Sequence, residues 1–365
     1  MPDVSDLDRR YMAAAIRLAR RHLGLTGTNP SVATLIVRDG VIVGRGITAV
    51  GGRPHAEPLA LAEAGEAARG ATAYVTLEPC AHHGRTPPCA EALIAAGVAR
   101  VVAAATDPDD RVSGRGYAML RQAGIEVLDG VDAAIARDGL SGYLNRSVSK
   151  RPEAILKLAV SADGFIGRRG EGQVAITGAV ARAQTHLLRA QCEAILVGAG
   201  TARADDPELT CRLPGLEGRS PARIVLDPTA SLSPNGKLVA TARDVPVWIA
   251  ATPDAPHGRR KALEAAGCTM LAAETVDGRI ALPELMEDLA ARGVSRVLVE
   301  GGAAVAASFM AEYLADRLVL FSSPREIGAE NAVRSPLDPA VCPDGFRLER
   351  RSQFGEDTCF EYVRA

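Results

Sequence analysis

The sequence predicts an α/β protein built as two units, and three observations carry that expectation. Strand-like and helix-like stretches alternate along nearly the whole chain, the order that sets a sheet between helices. The chain has 365 residues, more than twice an ordinary domain of roughly 150. A polar stretch ending in proline, Arg146 to Pro152, interrupts the alternation and reads as a linker. The expected domains are therefore 1–147 and 151–365.

Taken in order, residues 6–23 read as an amphipathic helix, with Leu7, Tyr11, Ala15 and Leu18 stepping at three and four. Thr26 to Pro30 breaks it. Val32–Val37 and Val41–Val43, joined by Asp39-Gly40, form a hairpin pattern. A helix is then expected over Glu57–Ala68, a strand over Ala71–Leu77, a helix over Cys89–Ala96 and a strand over Val101–Ala105. A helix over Gly116–Ala123 and a strand over Ile125–Leu128 end the first unit. In the second, strands are expected over Ala154–Val160, Ala194–Val197, Ala222–Leu226, Val245–Ala250, Arg296–Val299 and Leu318–Phe321. Helices are expected over Val180–Ala190, Arg259–Ala266, Leu282–Arg292 and Ala303–Tyr313. Phe346–Arg350 and Thr358–Val363 would close the sheet as antiparallel strands.

Composition excludes several classes. The hydrophobic set is 47% and the charged set 24%, enough apolar surface to offset the entropy of ordering a chain. Forty-two basic residues against 44 acidic leave a net charge of −2. A nucleic-acid partner is therefore not expected, because phosphate neutralisation needs clustered Lys and Arg. Aromatics are only 4%, too few for a stacking surface. No run approaches the ~18 apolar residues a membrane helix needs, and MPDVSDLDRR has no signal-peptide core. Seven sparse cysteines then read as reduced, and the compartment as cytoplasmic.

The sharpest chemical pattern is His55-Ala56-Glu57, followed by Pro79-Cys80 and Cys89. One imidazole and two thiolates make a three-ligand set for Zn2+, which leaves a fourth position for water. Zinc held that way lowers the pKa of the water towards ~7. Glu57 stands close enough to share the cavity without binding metal, and can carry protons. This is the H-x-E and P-C arrangement of zinc base deaminases. Both cysteines fall at element ends, Cys89 opening a helix, where a thiolate is favoured. Eight residues separate them rather than two, and bring His82, His83 and Arg85 to the rim. That loop could hold an anionic substrate or be solvated. His82 or His83 could also close the metal site as a fourth ligand.

The second half is less informative by itself. Gly198-Ala-Gly200 follows a strand but lacks the third glycine of the dinucleotide fingerprint. Glu300-Gly301-Gly302 sits between strand and helix, where backbone N–H groups can bind phosphate or where tight packing alone can demand glycine.

Set together, T-N-P at 28–30, H-A-E at 55–57, TLEPCAHHGRTPPC at 76–89 and DPDDRVSGRG at 107–116 resemble the deaminase half of the bifunctional riboflavin-biosynthesis deaminase–reductases. LKLAVSADG at 156–164, ITG at 176–178, LLRA at 187–190, VGAGTARADDPELTCR at 197–212 and VLVEGG at 297–302 follow the order of the reductase half. The resemblance implies a cytidine-deaminase-like three-layer N-terminal domain and a dihydrofolate-reductase-like C-terminal domain. It also implies NADPH without a dinucleotide fingerprint, a phosphoribosyl-pyrimidine substrate and a homo-oligomer.

Carried over residue by residue, the resemblance makes His55, Cys80 and Cys89 the metal ligands, with Glu57 and Asp205 catalytic. Ala159, Ala175, Thr201, Asp205, Gly301, Gly302, Ala303 and Ala304 would hold the cofactor. Asn29, Arg85, Lys157, Ser161, Gln173, Arg189, Leu209, Arg212 and Glu300 would contact substrate, the arginines suiting its phosphate. The chain departs from the pattern at Ala175, where a Trp is usual, at Gln173 for Ser and at Ala162 for Leu. Thr28 stands for Pro, Ala33 for Gly and Pro58 for an aliphatic residue. Three other readings remain at this point: a deaminase with a degenerate reductase-like half, a nucleic-acid base editor and a non-catalytic zinc module.

Overall fold

The computed structural model describes residues 4–83, 87–109 and 113–365. The chain divides into two compact units, Met1–Lys150 and Arg151–Ala365.

The first unit opens with α1 (Asp6–Ala19), whose start is fixed by a capping box between Ser5 and Asp8. Asp8 is buried and accepts from Tyr74 and, through both oxygens, from Arg100. The hairpin β1 (Ala33–Arg38) and β2 (Val41–Ile47) turns through Asp39 at φ 50° and Gly40 at φ 76°, the conformation a tight two-residue turn requires. Then come α2 (Ala56–Ala64), β3 (Thr72–Leu77), α3 (Cys89–Ala95), β4 (Arg100–Ala105), α4 (Arg115–Gln122), β5 (Glu126–Leu128) and α5 (Ala133–Ser149). The sheet order is β2-β1-β3-β4-β5, antiparallel from β2 to β3 and parallel from β3 to β5. Its core is Ile36, Val75, Leu93, Val101, Leu120 and their neighbours. Helix α2 lies directly on β2: a Cβ on Gly46 would meet the Ala56 carbonyl at 2.0 Å. That close approach presses the start of α2, with His55 and Glu57, against the sheet.

The second unit runs β6 (Glu153–Val160), β7 (Phe165–Arg168), α6 (Ala179–Arg189), β8 (Ala194–Gly198), α7 (Ala199–Asp205), β9 (Ala222–Leu226), α8 (Lys237–Ala240), β10 (Val247–Ala251) and α9 (His257–Ala265). It continues through β11 (Thr269–Ala272), β12 (Thr275–Val276), β13 (Arg279–Ile280), α10 (Leu282–Ala291), β14 (Arg296–Val299), α11 (Ala303–Ala311), β15 (Arg317–Ser322), β16 (Ala332–Arg334), β17 (Phe346–Phe354) and β18 (Asp357–Arg364). The main sheet has the order β11-β10-β9-β8-β14-β6-β15-β18-β17, parallel from β11 to β15 and antiparallel over the last two strands. Cores lie on both faces: Leu156, Leu196, Val297 and Phe309 on one, Ile155, Ile195, Val225 and Phe321 on the other.

The stretch expected as a linker is different. Helix α5 runs through Ser149, so Arg146 to Ser149 are helical. The break falls at Lys150, whose φ is 56°, and at Arg151-Pro152. Ala136, Leu140, Tyr143 and Leu144 give this helix an apolar face, but Gly139 and Gly142 hide the period in the sequence. The first helix is shorter than expected, ending at Ala19 before a 3₁₀ turn over Arg20–His22. Helix α2 stops at Ala64 because Gly65 takes φ 52°. Helix α7 occupies a segment that reads as a glycine-rich turn.

Candidate functional site

In the first unit the three candidate ligands converge from two loops and a helix start. His55 caps α2 in extended conformation, Cys80 follows the carboxyl end of β3, and Cys89 opens α3. His55 Nδ1 lies 3.8 Å from Cys80 Sγ and 3.4 Å from Cys89 Sγ, and the three atoms fall within 4.8 Å of one another. A tetrahedral zinc with ordinary Zn–N and Zn–S bonds sets N and S about 3.6 Å apart. The side chains therefore fit zinc as they stand. Neither His82 nor His83 belongs to this group; His83 Nε2 lies 3.1 Å from the Glu91 carboxylate instead. The same arrangement leaves a fourth position open among the described residues.

Glu57 is buried on the first turn of α2 and reaches the Cys89 thiol. Burial, and next the charge on Cys80, push its carboxyl up, which suits a group that must take up and return a proton. The Cys80 thiol is held down to about 4, first by its hydrogen bond with the Cys89 side chain. The Cys89 backbone N–H also donates to Cys80 Sγ at 3.2 Å.

The loop that carries Cys80 is locked from behind. Buried Glu78 accepts from the backbone N–H groups of Gly114 and Gly116, each at 3.1 Å. A Cβ on Gly116 would meet the Pro79 carbonyl at 2.1 Å. Asp107 beside it is buried and accepts from Tyr143 and from the Asp109 N–H. Glu78 escaped sequence reasoning; a charged residue at the end of an apolar strand was the only signal. Asn29 packs against Gly52, three residues before His55. Arg85 lies outside the described residues, as do parts of the rim loop and of the 107–116 motif.

In the second unit several of the expected residues stand on or just past β6, β8 and β14: Lys157 and Ala159 on β6, Thr201 on the helix after β8, and Glu300, Gly301 and Gly302 after β14. Adjacent β8 and β14 send their chains in opposite directions: β8 through α7 to β9, β14 through α11 to β15. Their helices pack on opposite faces. A crevice opens at such a switch point, where ligands bind in open α/β sheets. Gly301 allows α11 to start there, since a Cβ would strike the Val305 side chain at 2.5 Å. Thr201 Oγ1 accepts from the Gly302 N–H at 3.2 Å and joins the two turns. Ala303 and Ala304 open α11 beside them.

Lys157 and Ala159 stand two apart on β6. Burial pushes the Lys157 ammonium down, opposed by the charge of Glu300, and its Nζ lies 5.7 Å from the Phe321 ring. Glu300 forms a two-pronged pair with Arg189 at 2.8 and 2.9 Å. Burial alone would raise the Glu300 carboxyl, but Arg189 holds it at about 2. Asp205 ends α7, its carboxyl pushed up by burial.

Two of the expected substrate contacts have protein partners in this structure. Arg189 was expected on phosphate, yet its fork closes on Glu300 and its Nη1 donates to the Thr210 carbonyl at 3.0 Å. Ser161 is buried, and its hydroxyl donates to Asp163 and Phe165 while accepting from the Phe165 N–H. Arg212 is more open, held by Glu208 and Thr210. Leu209 is buried at φ 56°. Gln173 and Ala175 lie on the exposed stretch between β7 and α6, where the Ala175 carbonyl accepts from Arg325.

Comparison with known proteins matches residues 5–105 to the cytidine and deoxycytidylate deaminase zinc-binding region, and residues 152–360 to the RibD C-terminal domain. The riboflavin biosynthesis protein RibD of Escherichia coli K12 is 38% identical over 98% of this chain and 100% of its own. That of Aquifex aeolicus is 37% identical over 89% of each. Among solved structures, Acinetobacter baumannii RibD matches with a TM-score of 0.85 at 34% identity, over 98% of this chain and 99% of that one. The Thermotoga maritima diaminohydroxyphosphoribosylaminopyrimidine deaminase/5-amino-6-(5-phosphoribosylamino)uracil reductase matches at 0.86 and 32%, with the same coverage. Among the described residues no helix is long and apolar enough to cross a membrane.

Proposed function

The chain belongs to the family of the riboflavin biosynthesis protein RibD, and from that premise we propose the division of labour between its two units. The enzyme is a bifunctional deaminase and reductase. Residues 1–147 remove the 2-amino group of 2,5-diamino-6-(5-phosphoribosylamino)pyrimidin-4(3H)-one. Residues 151–365 reduce the ribosyl group with NADPH to give 5-amino-6-(5-phosphoribitylamino)uracil. The observation that carries the reading is the convergence of His55, Cys80 and Cys89 beside the buried carboxyl of Glu57.

One zinc per chain would be held by His55 Nδ1 and the two thiolates, and supplies Lewis-acid activation of water when bound. Glu57 takes a proton from the attacking water and returns one to the departing amine, and its raised carboxyl favours both transfers. Glu78 and Gly116 keep Cys80 in place. Asn29 and Arg85 hold the substrate ring and its anionic end.

NADPH, when bound, supplies hydride. Thr201, Gly301, Gly302, Ala303 and Ala304 hold it at the switch point, with Ala159 and Ala175 along the cleft. Lys157, Ser161, Gln173, Arg189, Leu209, Arg212 and Glu300 surround the sugar phosphate, with Arg189 also orienting Glu300. Asp205 stands where nicotinamide and sugar meet, so the site works chiefly by alignment. We place the enzyme in the cytoplasm, consistent with its seven free cysteines, and as a homo-oligomer.

The test follows ammonia release and NADPH loss together on zinc-analysed protein given the diaminopyrimidine substrate. Equal amounts of both, in that order, are expected. Ammonia without NADPH loss would make the second unit a degenerate reductase, the reading favoured by the ringless, exposed Ala175. Neither signal from zinc-loaded protein would refute the assignment.

A further inference from the structure

Arg223 is among the largest wholly buried side chains of the described residues, and it differs from the others in carrying a charge. It sits on β9, and its partners are three carbonyls and a hydroxyl rather than a carboxylate. Nη1 donates to the Glu208 carbonyl at 3.1 Å and to Thr241 Oγ1 at 2.8 Å; Nη2 donates to the carbonyls of Thr241 and Val245. Burying a guanidinium is costly, and at a purely structural position an apolar side chain of similar volume often serves as well or better. What Arg223 holds accounts for its presence.

Glu208 belongs to the segment Asp205-Asp206-Pro207-Glu208-Leu209, which leaves α7 and borders the reductase crevice. Two of its non-glycine residues have positive φ, Asp206 at 39° and Leu209 at 56°. A leucine in that region is strained and stays only if its surroundings enforce it. The enforcement comes from one small construction. The first N–H of α8, on Lys237, donates to Asp206 Oδ1 at 2.8 Å. Thr241, just past the other end of α8, is bound by Arg223, which reaches back to Glu208. Helix α8 and Arg223 thus form a closed bracket around the strained segment.

We propose that Arg223 is a positioning residue of the reductase site, which with α8 braces the Asp206–Leu209 segment and so fixes where Asp205 stands. The proposal rests on the reductase reading above. Arg223 touches neither substrate nor cofactor; it acts through Glu208 and Asp206.

The experiment uses the full chain with three variants, Arg223→Met, Asp206→Gly and Asp206→Asn. Glycine accepts the φ of residue 206 but loses the acceptor; asparagine keeps both. Wild-type NADPH oxidation with the deaminated pyrimidine is measured first, ammonia release reports on the first unit, and amide hydrogen exchange is followed over 204–211. Arg223→Met and Asp206→Gly should lower reductase kcat at least tenfold, with ammonia release unchanged and faster exchange over 204–211. Asp206→Asn should restore kcat and protection. Wild-type kcat in Arg223→Met, or a general loss of stability in the second unit with kcat per folded molecule intact, overturns the proposal. If Arg223→Met does not fold, the contrast between Asp206→Gly and Asp206→Asn decides. If the wild type oxidises no NADPH, the reductase reading fails, and the exchange comparison still decides whether the brace exists.

Discussion

Gly116→Ala isolates what holds Cys80. Gly116 is the second residue of α4, a helical position where alanine is ordinarily favoured over glycine by about 1 kcal/mol. Local propensity alone therefore predicts a more stable protein. The packing predicts the opposite, because the new Cβ would stand 2.1 Å from the Pro79 carbonyl and 3.3 Å from Glu78 Cγ, when real Cβ contacts essentially never fall under 3.0 Å. The nearer atom is backbone and cannot rotate aside. Relief needs a displacement of about 0.9 Å in the residue directly before Cys80, whereas ligand distances in a working metal site hold to about 0.2 Å. The crowding itself costs about 1–3 kcal/mol, partly offset by the helix gain. Net stability should thus fall by up to about 2 kcal/mol, while zinc affinity falls about 10–100-fold, as when a group supporting a ligand is lost. Zinc remaining after dialysis against graded chelator measures this. Ammonia release should fall in step, and NADPH oxidation with separately supplied deaminated pyrimidine should stay at the wild-type rate. A variant that keeps zinc and deaminates normally would refute the lock between α4 and the Cys80 loop.

Glu57→Gln should retain zinc but release ammonia about 10²–10⁴-fold more slowly, measured on protein of known metal content. Glu300→Gln leaves the Arg189 guanidinium buried and unpaired, and should cost about 3–5 kcal/mol in urea unfolding. The same pair sets an acid limb. The Glu300 carboxyl titrates at about 2 in the folded protein against 4.5 ordinarily, so its contribution is fully present above the higher value and is lost as pH falls towards the lower. The loss is about 3 kcal/mol, and Glu300→Gln should flatten that part of the stability curve. Arg212→Ala should raise KM for the phosphate-bearing substrate of the reductase with little change in Tm, because its exposed side chain is tied only to Glu208 and Thr210; an unchanged KM would return the phosphate to other cations. Ala175→Trp should tighten NADPH about three- to tenfold by ring stacking, seen by fluorescence titration, and an unaltered affinity would show that the cleft does not use a ring there.

The zinc ligands were legible because metal chemistry is local: few side chains bind zinc, and each sits at an element end that strand and helix periods mark. The element types of the first unit were legible for the same periodic reason, except α5, whose glycines interrupt its apolar face. The second site was not legible from composition or spacing. Its residues come from β6, α6, the end of α7 and the turn after β14, over 140 residues apart in sequence. Only their resemblance to a known family named them. The resemblance named Arg189 for its charge, but its pairing with Glu300 became visible only in the fold. A side chain's partner depends on what the sheet order brings beside it, and no motif encodes that order.

Strand order supplies an independent reason to look where the family residues fall. In a parallel sheet every strand ends on the same edge, but most of these ends are covered by the loop to the next helix. At β8 and β14 the two connections leave for opposite faces, the arrangement that in open α/β sheets leaves a crevice for ligands. Thr201 bridges the turns after these two strands by accepting from the Gly302 N–H, and Glu300, the first residue past β14, pairs with Arg189. Asp205 is the last residue of α7, and on the proposal above α8 and Arg223 are what hold it: seven helical residues do little by themselves to fix their own last residue.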